Sequence, residues 1–97
     1  MAKTVVWSLR AQDDRKRIFK YWDKRNKSGF YSIKLNKLYE EAIEIIAKYP
    51  NIGKLTDYEG MRIKIVRDYL IIYREFENEI HILRIANSYQ NPANLRF

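Results

Sequence analysis

The run MRIKIVRDYLIIYREFENEIHILRIA, residues 61–86, decides the fold. At its start Met61, Ile63 and Ile65 alternate with Arg62 and Lys64, so a strand here sets three apolar side chains on one face and two basic ones on the other. Arg67-Asp68 reads as a tight connection to Tyr69-Leu70-Ile71-Ile72-Tyr73, and Phe76-Glu77-Asn78-Glu79 turns the chain into Ile80-His81-Ile82-Leu83-Arg84-Ile85-Ala86. The last two runs are apolar on both faces, which suits strands at a sheet centre or beneath helices. The stretch therefore predicts an antiparallel meander.

Upstream, Thr4 to Trp7 is a short β-branched and aromatic run, and Ser8 is a candidate N-cap for a helix opening around Leu9 to Asp13. Within Ala11 to Arg25 the apolar Ile18, Tyr21 and Trp22 recur at three- and four-residue spacing, with Arg15, Lys16, Arg17, Lys20 and Lys24 filling other positions. Asn26-Lys27-Ser28-Gly29 signals a turn. From Ser32 a second helical stripe carries Leu35, Leu38, Ala42, Ile45, Ile46 and Tyr49, and it ends near Lys48 because Pro50 cannot continue a helix. The expected architecture is α+β: one domain over residues 1–97, ordered βααβββ, with both helices packed on one face of a twisted, mainly antiparallel four-stranded sheet.

Composition fits one packed domain. Of 97 residues, 46% are hydrophobic and 14% aromatic, ample for a core. The chain holds no apolar run near the ~18 to 20 residues of a membrane span, so a cytoplasmic protein with no membrane partner is expected. With no cysteine and a single histidine, His81, thiol chemistry and a bound metal are not expected, nor is any cofactor. Residues 1–38 hold eleven Lys or Arg against three Asp, whereas the remaining 59 hold eight against nine acidic residues. A one-sided basic surface fits nucleic acid or an acidic protein partner; a solvated helix face is the plainer alternative.

Several of these pieces, in this order, carry a family resemblance. Val6-Trp7-Ser8, a helical hairpin, Tyr49-Pro50-Asn51-Ile52-Gly53-Lys54, then Arg62, Val66, Tyr69 and Tyr73, Ile80, Ile82 and Ile85, and a terminal Gln90-Asn91-Pro92 with Leu95, together resemble the RelE/ParE toxin superfamily. The resemblance covers almost the whole chain. It implies the toxin half of a type II toxin-antitoxin module of the plasmid-stabilisation kind, with an acidic, partly disordered antitoxin as partner in a toxin-antitoxin hetero-oligomer. RelE-like members resemble ribosome-dependent ribonucleases that cut mRNA, whereas ParE-like members bind DNA gyrase and lack nuclease chemistry. The expected function is a toxin that inhibits translation by ribosome-dependent mRNA cleavage. The alternatives are a gyrase-inhibiting toxin and an inactive antitoxin-binding module.

Cleavage through the RNA's own 2'-hydroxyl needs a base, an acid and cations around the phosphorane. RelE-type sites achieve this with Lys, Arg and Tyr, so a Lys or Tyr base must have its pKa lowered by crowded cations. The candidates are Arg62, Lys64 and Arg84 as a cationic patch on the sheet, with Tyr89 as acid or base. Arg67, Arg15, Lys16, Lys20 and Lys24 are candidates for gripping RNA phosphates. The alternative is that Arg62 and Lys64 solvate an exposed sheet face and Arg84 pairs with an acid such as Glu75. Tyr89 stands where many relatives carry arginine, a departure that counts against the nuclease if that arginine contacts phosphate; a tyrosine there instead offers a proton or a stacking ring. Tyr21, Trp22, Tyr49, Tyr69 and Tyr73 fall on core positions, leaving Tyr31, Tyr58 and Tyr89 for RNA. His81, in mid-strand among Ile80, Ile82 and Leu83, reads as a packed or surface residue.

Overall fold

The first strand ends and the first helix begins at Ser8, which serves both. In the computed structural model, which describes residues 2–58, 60–90 and 94–97, the Ser8 N–H donates to the Ile82 carbonyl at 3.0 Å. The Ser8 hydroxyl donates to the Leu83 carbonyl at 2.8 Å and accepts from the Ala11 N–H at 3.0 Å, an N-cap that occupies one of the helix's orphan donors. The chain runs as β1 (Thr4–Trp7), α1 (Leu9–Asn26), α2 (Phe30–Lys48), a 3-10 turn (Pro50–Ile52), β2 (Lys54–Leu55), β3 (Met61–Val66), β4 (Tyr69–Glu75) and β5 (Glu79–Asn87). The strands form one sheet in the order β1-β5-β4-β3-β2. β1 runs parallel to β5, and the other pairs are antiparallel.

Among the described residues the sheet has five strands rather than the expected four. Lys54 and Leu55 pair with Ile63 and Arg62 at its edge, and two residues are too few to leave a period-two pattern in the sequence. The meander itself is as expected, with the apolar β4 at the sheet centre.

Both helices pack on one face. Ala11 of α1 and Leu35, Tyr39, Ala42, Ile43 and Ile46 of α2 share a core with Val66, Tyr69, Ile71, Tyr73, Ile80, Ile82 and Ile85. Ile71, Ile80 and Ile82 are fully buried, and each contributes roughly 2 kcal/mol by leaving water. Met61, Leu70 and Ile72 form a smaller cluster with Ile63, Leu83 and Leu95 against it. These residues alternate with the first set along β4, so they occupy the opposite face. Arg62 and Lys64 pair with Tyr73 and Ile71, which corrects their expected position: they share the helix-packed face, and it is Met61 and Ile63 that look away from the helices.

The buried stripe of α2 also differs from expectation, because Ile45 and Tyr49 are exposed. Adjacent residues point about 100° apart on a helix, so Ile46 facing the core turns Ile45 away. Tyr49, the C-cap with φ −130°, has left the helical path that its place on the stripe assumed. On α1, Tyr21 likewise points to solvent. At the hairpin between the helices Lys27 has a left-handed backbone, φ 51°, which closes α1 in the manner of an αL cap.

Candidate functional site

β1 ends at Trp7, opposite Ile82, so among the described residues the edge of β5 beyond that point has no strand beside it. Asp14 of α1 takes that place. Its Oδ2 accepts from the Ile85 N–H at 3.0 Å and from Arg84 Nε at 2.7 Å; its Oδ1 accepts from Arg84 Nη2 at 2.9 Å and from Arg17. The carboxylate is only 1% exposed, and a charge so buried persists when it is paired and hydrogen-bonded.

Arg84 reaches Asp14 from a distorted part of β5. Tyr73 pairs with Ile82 and Ile72 with Arg84, which leaves Leu83 as the extra residue of a bulge that re-aims the side chains after it. The remaining terminal nitrogen of Arg84, Nη1, donates to the Arg96 carbonyl at 2.8 Å. The hydrogen bond to Asp14 holds the guanidinium pKa above its ordinary value against the opposing effect of burial. Glu75, offered by sequence as a partner for Arg84, pairs with Lys3 at 2.8 Å instead.

Arg62, Lys64 and Arg84 do not converge. β4 lies between β3 and β5, and two strand spacings set their backbones about 10 Å apart. Arg62 Nη1 donates to the Gly53 carbonyl at 2.9 Å and to the Asn51 carbonyl at 3.4 Å, fastening the 3-10 turn to the sheet. Lys64 is half-buried. Arg67 is exposed at the β3–β4 loop with φ 57°. On α1, Lys16, Lys20 and Lys24 are exposed and share one stripe by their four-residue spacing, whereas the Arg15 guanidinium lies over the Trp7 ring at 4.8 Å.

The fold does assemble a groove of about 740 Å³ between α1, the β3–β4 loop and the end of β5. Asp14, Arg17 and Arg84 form a charged wall, Trp22 and Tyr69 an aromatic one. Trp22 Nε1 donates to the Tyr69 hydroxyl at 2.7 Å. Burial raises the Tyr69 phenol above its ordinary pKa. Tyr89 lines the groove too and is 90% exposed, its N–H donating to Asn87 Oδ1 at 2.9 Å. Tyr31 packs its ring against Trp22 at 4.6 Å, while Tyr58 is exposed. Gln90 Oε1 accepts from the Asn87 N–H at 3.2 Å; Asn91 and Pro92 lie outside the described residues. His81 Nε2 is 2.9 Å from Glu79 Oε1, its ring tilted against Phe76 at 4.4 Å. Among the described residues no group of three His, Cys, Asp or Glu could hold a metal ion, and no helix is long and apolar enough to cross a membrane.

Sequence reasoning missed Asp14, although a signal existed. Ala11, Asp14, Ile18 and Trp22 follow helical spacing, so the aspartate stands on the buried stripe where a charge needs a reason. Tyr39, fully buried between the helices and sheet, was missed as well; it continues the stripe through Leu35 and Ala42.

Residues 5–92 match the family model described as ParE toxin of type II toxin-antitoxin system, parDE. The chain belongs to the ParE toxin family. Ten solved chains resemble this ParE-family protein. One, from the chromosomal ParDE toxin-antitoxin system of P. aeruginosa, superposes with a TM-score of 0.77 at 19% identity, over 89% of this chain and 96% of that one. At that identity the likeness shows the shared fold. No curated protein matches the sequence. The ParE-family chain is thus the toxin component of a type II toxin-antitoxin system, a role that implies an antitoxin partner.

Proposed function

We propose that this ParE-family toxin arrests growth by binding and inhibiting DNA gyrase, without cutting RNA. The observation that carries the proposal is the capture of Arg84 by Asp14. All three guanidinium nitrogens of Arg84 are engaged, and opening such a pair to free the cation for a phosphate costs roughly 3 to 5 kcal/mol, about two to four powers of ten in affinity. Arg62 is similarly committed to backbone carbonyls. A nuclease that works by crowding cations around its scissile phosphate has lost its means of lowering a base pKa and of stabilising the phosphorane. Gyrase and an acidic antitoxin are partners to be met in the cytoplasm, which agrees with the basic charge of the N-terminal residues.

The ribosome-dependent ribonuclease keeps one observation in its favour, Tyr89 standing exposed in the groove that Arg17 also lines. Induced expression in bacteria, followed for mRNA integrity, bulk translation and plasmid supercoiling over the first minutes of arrest, separates the two. Altered supercoiling with intact mRNA is the expected result. Early cuts within translated regions at normal supercoiling would establish the ribonuclease instead, and no arrest at all would identify an inactive module.

A further inference from the structure

The helical hairpin ends in a tip that holds two large apolar side chains in water. Phe30 is 84% exposed and Ile33 is 70% exposed. They are neighbours at three-residue spacing on α2, and the exposed Lys34 and Lys37 continue the same stripe. Lys24, Arg25 and Lys27 come from the end of α1 and the turn, so residues 23–37 carry five cations against the single acid Asp23. That acid is occupied, its carboxylate accepting from the Ser32 hydroxyl at 2.5 Å. The tip is braced from within: Arg25 donates to the Tyr21 hydroxyl at 3.3 Å and lies over Trp22 at 5.9 Å, and the Phe30 N–H donates to Ser28 Oγ at 3.2 Å.

Neither Phe30 nor Ile33 belongs to the core, so their exposure does nothing for folding. An apolar pair within a ring of like charge has the composition of a protein interface, a water-excluding centre with a charged rim. Phosphates would engage the lysines with no use for the apolar pair, and Ile33 has no π-face to stack on a base. We infer that the hairpin tip is the surface with which the toxin grips its protein target, Phe30 and Ile33 entering an apolar recess whose rim is acidic. This rests on the proposal that the toxin acts by binding a protein. The lysines steer the encounter and set its salt dependence, while the apolar pair sets residence time.

The test uses the full chain with two double variants, Phe30→Ser with Ile33→Ser and Lys34→Glu with Lys37→Glu, read in four assays: thermal unfolding, growth arrest on expression, inhibition of gyrase supercoiling, and binding to linear DNA alone. Both variants should unfold at the wild-type temperature, because the altered side chains are in water. The apolar variant should need roughly 30-fold more protein for half-inhibition, the scale of losing a hot spot. The charge variant should need roughly 10-fold more at low salt, a gap that narrows as salt screens the encounter. Folded variants that arrest growth like wild type would overturn the inference. So would an equal loss of affinity for linear DNA alone, which would mark the tip as a nucleic-acid surface. If wild-type toxin leaves supercoiling untouched while the folded tip variants lose growth arrest, the gyrase proposal fails and the tip stands as the grip on another protein.

Discussion

Asp14 and Arg84, seventy residues apart, meet in a two-pronged ion pair of 2.7 and 2.9 Å whose carboxylate also holds the backbone of Ile85. The pair ties α1 to β5 where β1 has stopped. Asp14→Asn removes the charge and strands a guanidinium that is largely buried, so stability to urea should fall by about 3 kcal/mol. Asp14→Asn with Arg84→Gln should cost less than the sum of the two single changes, because the pair is lost only once. Additive costs would show that the pair contributes little coupling.

Tyr73 anchors the 3-10 turn. Its hydroxyl donates to the Pro50 carbonyl at 2.7 Å and accepts from the Gly53 N–H at 2.9 Å. Tyr73→Phe leaves both backbone groups short of a partner and should cost about 2 kcal/mol in chemical denaturation. A Cβ on Gly53 would stand 2.5 Å from the same hydroxyl and 3.0 Å from the Ile63 carbonyl. Gly53→Ala should therefore destabilise as well, and adding Tyr73→Phe should recover only part of the loss, since the ring carbon 2.8 Å from that Cβ and the Ile63 carbonyl both remain.

Alkaline pH should weaken the fold. Burial raises the phenol pKa values of Tyr39, Tyr69 and Tyr73 above their ordinary value of 10.0. As pH rises past that value the unfolded chain releases these protons first, so stability is fully present below it and declines above it. Denaturation midpoints measured between pH 8 and 11 should be level and then fall, with a shallower fall in Tyr69→Phe. A midpoint that rises above pH 10 would contradict the assignment.

Lys64 and Tyr89 separate catalysis from binding. Neither Lys64→Ala nor Tyr89→Phe should change supercoiling inhibition by more than about twofold, since neither belongs to the hairpin tip and changes away from a binding surface usually fall within about 0.5 kcal/mol. A hundredfold loss of toxin-dependent mRNA cleavage from either would instead place chemistry at that residue, as in a ribonuclease.

The meander was legible because a period of two is local: Met61 and Ile63 against Arg62 and Lys64, then the doubly apolar Tyr69 to Tyr73. Alternation states which residues share a face but not which face the helices cover, and so the basic pair was assigned to the wrong side. The partnership of Arg84 was not legible, since any of several acids could have met it and only the end of β1 at Trp7 brings Asp14 to that edge. For the same reason the cluster of Arg62, Lys64 and Arg84 looked plausible until strand order put β4 between them.

Supercoiling of relaxed plasmid by purified gyrase and ATP, with purified wild-type toxin added alone and then after its antitoxin, tests the central claim most directly. Inhibition that rises with toxin and vanishes with antitoxin, alongside intact mRNA in a ribosome-programmed translation reaction, is the result this account predicts. Unimpeded supercoiling together with toxin-dependent mRNA cuts on translating ribosomes would contradict it.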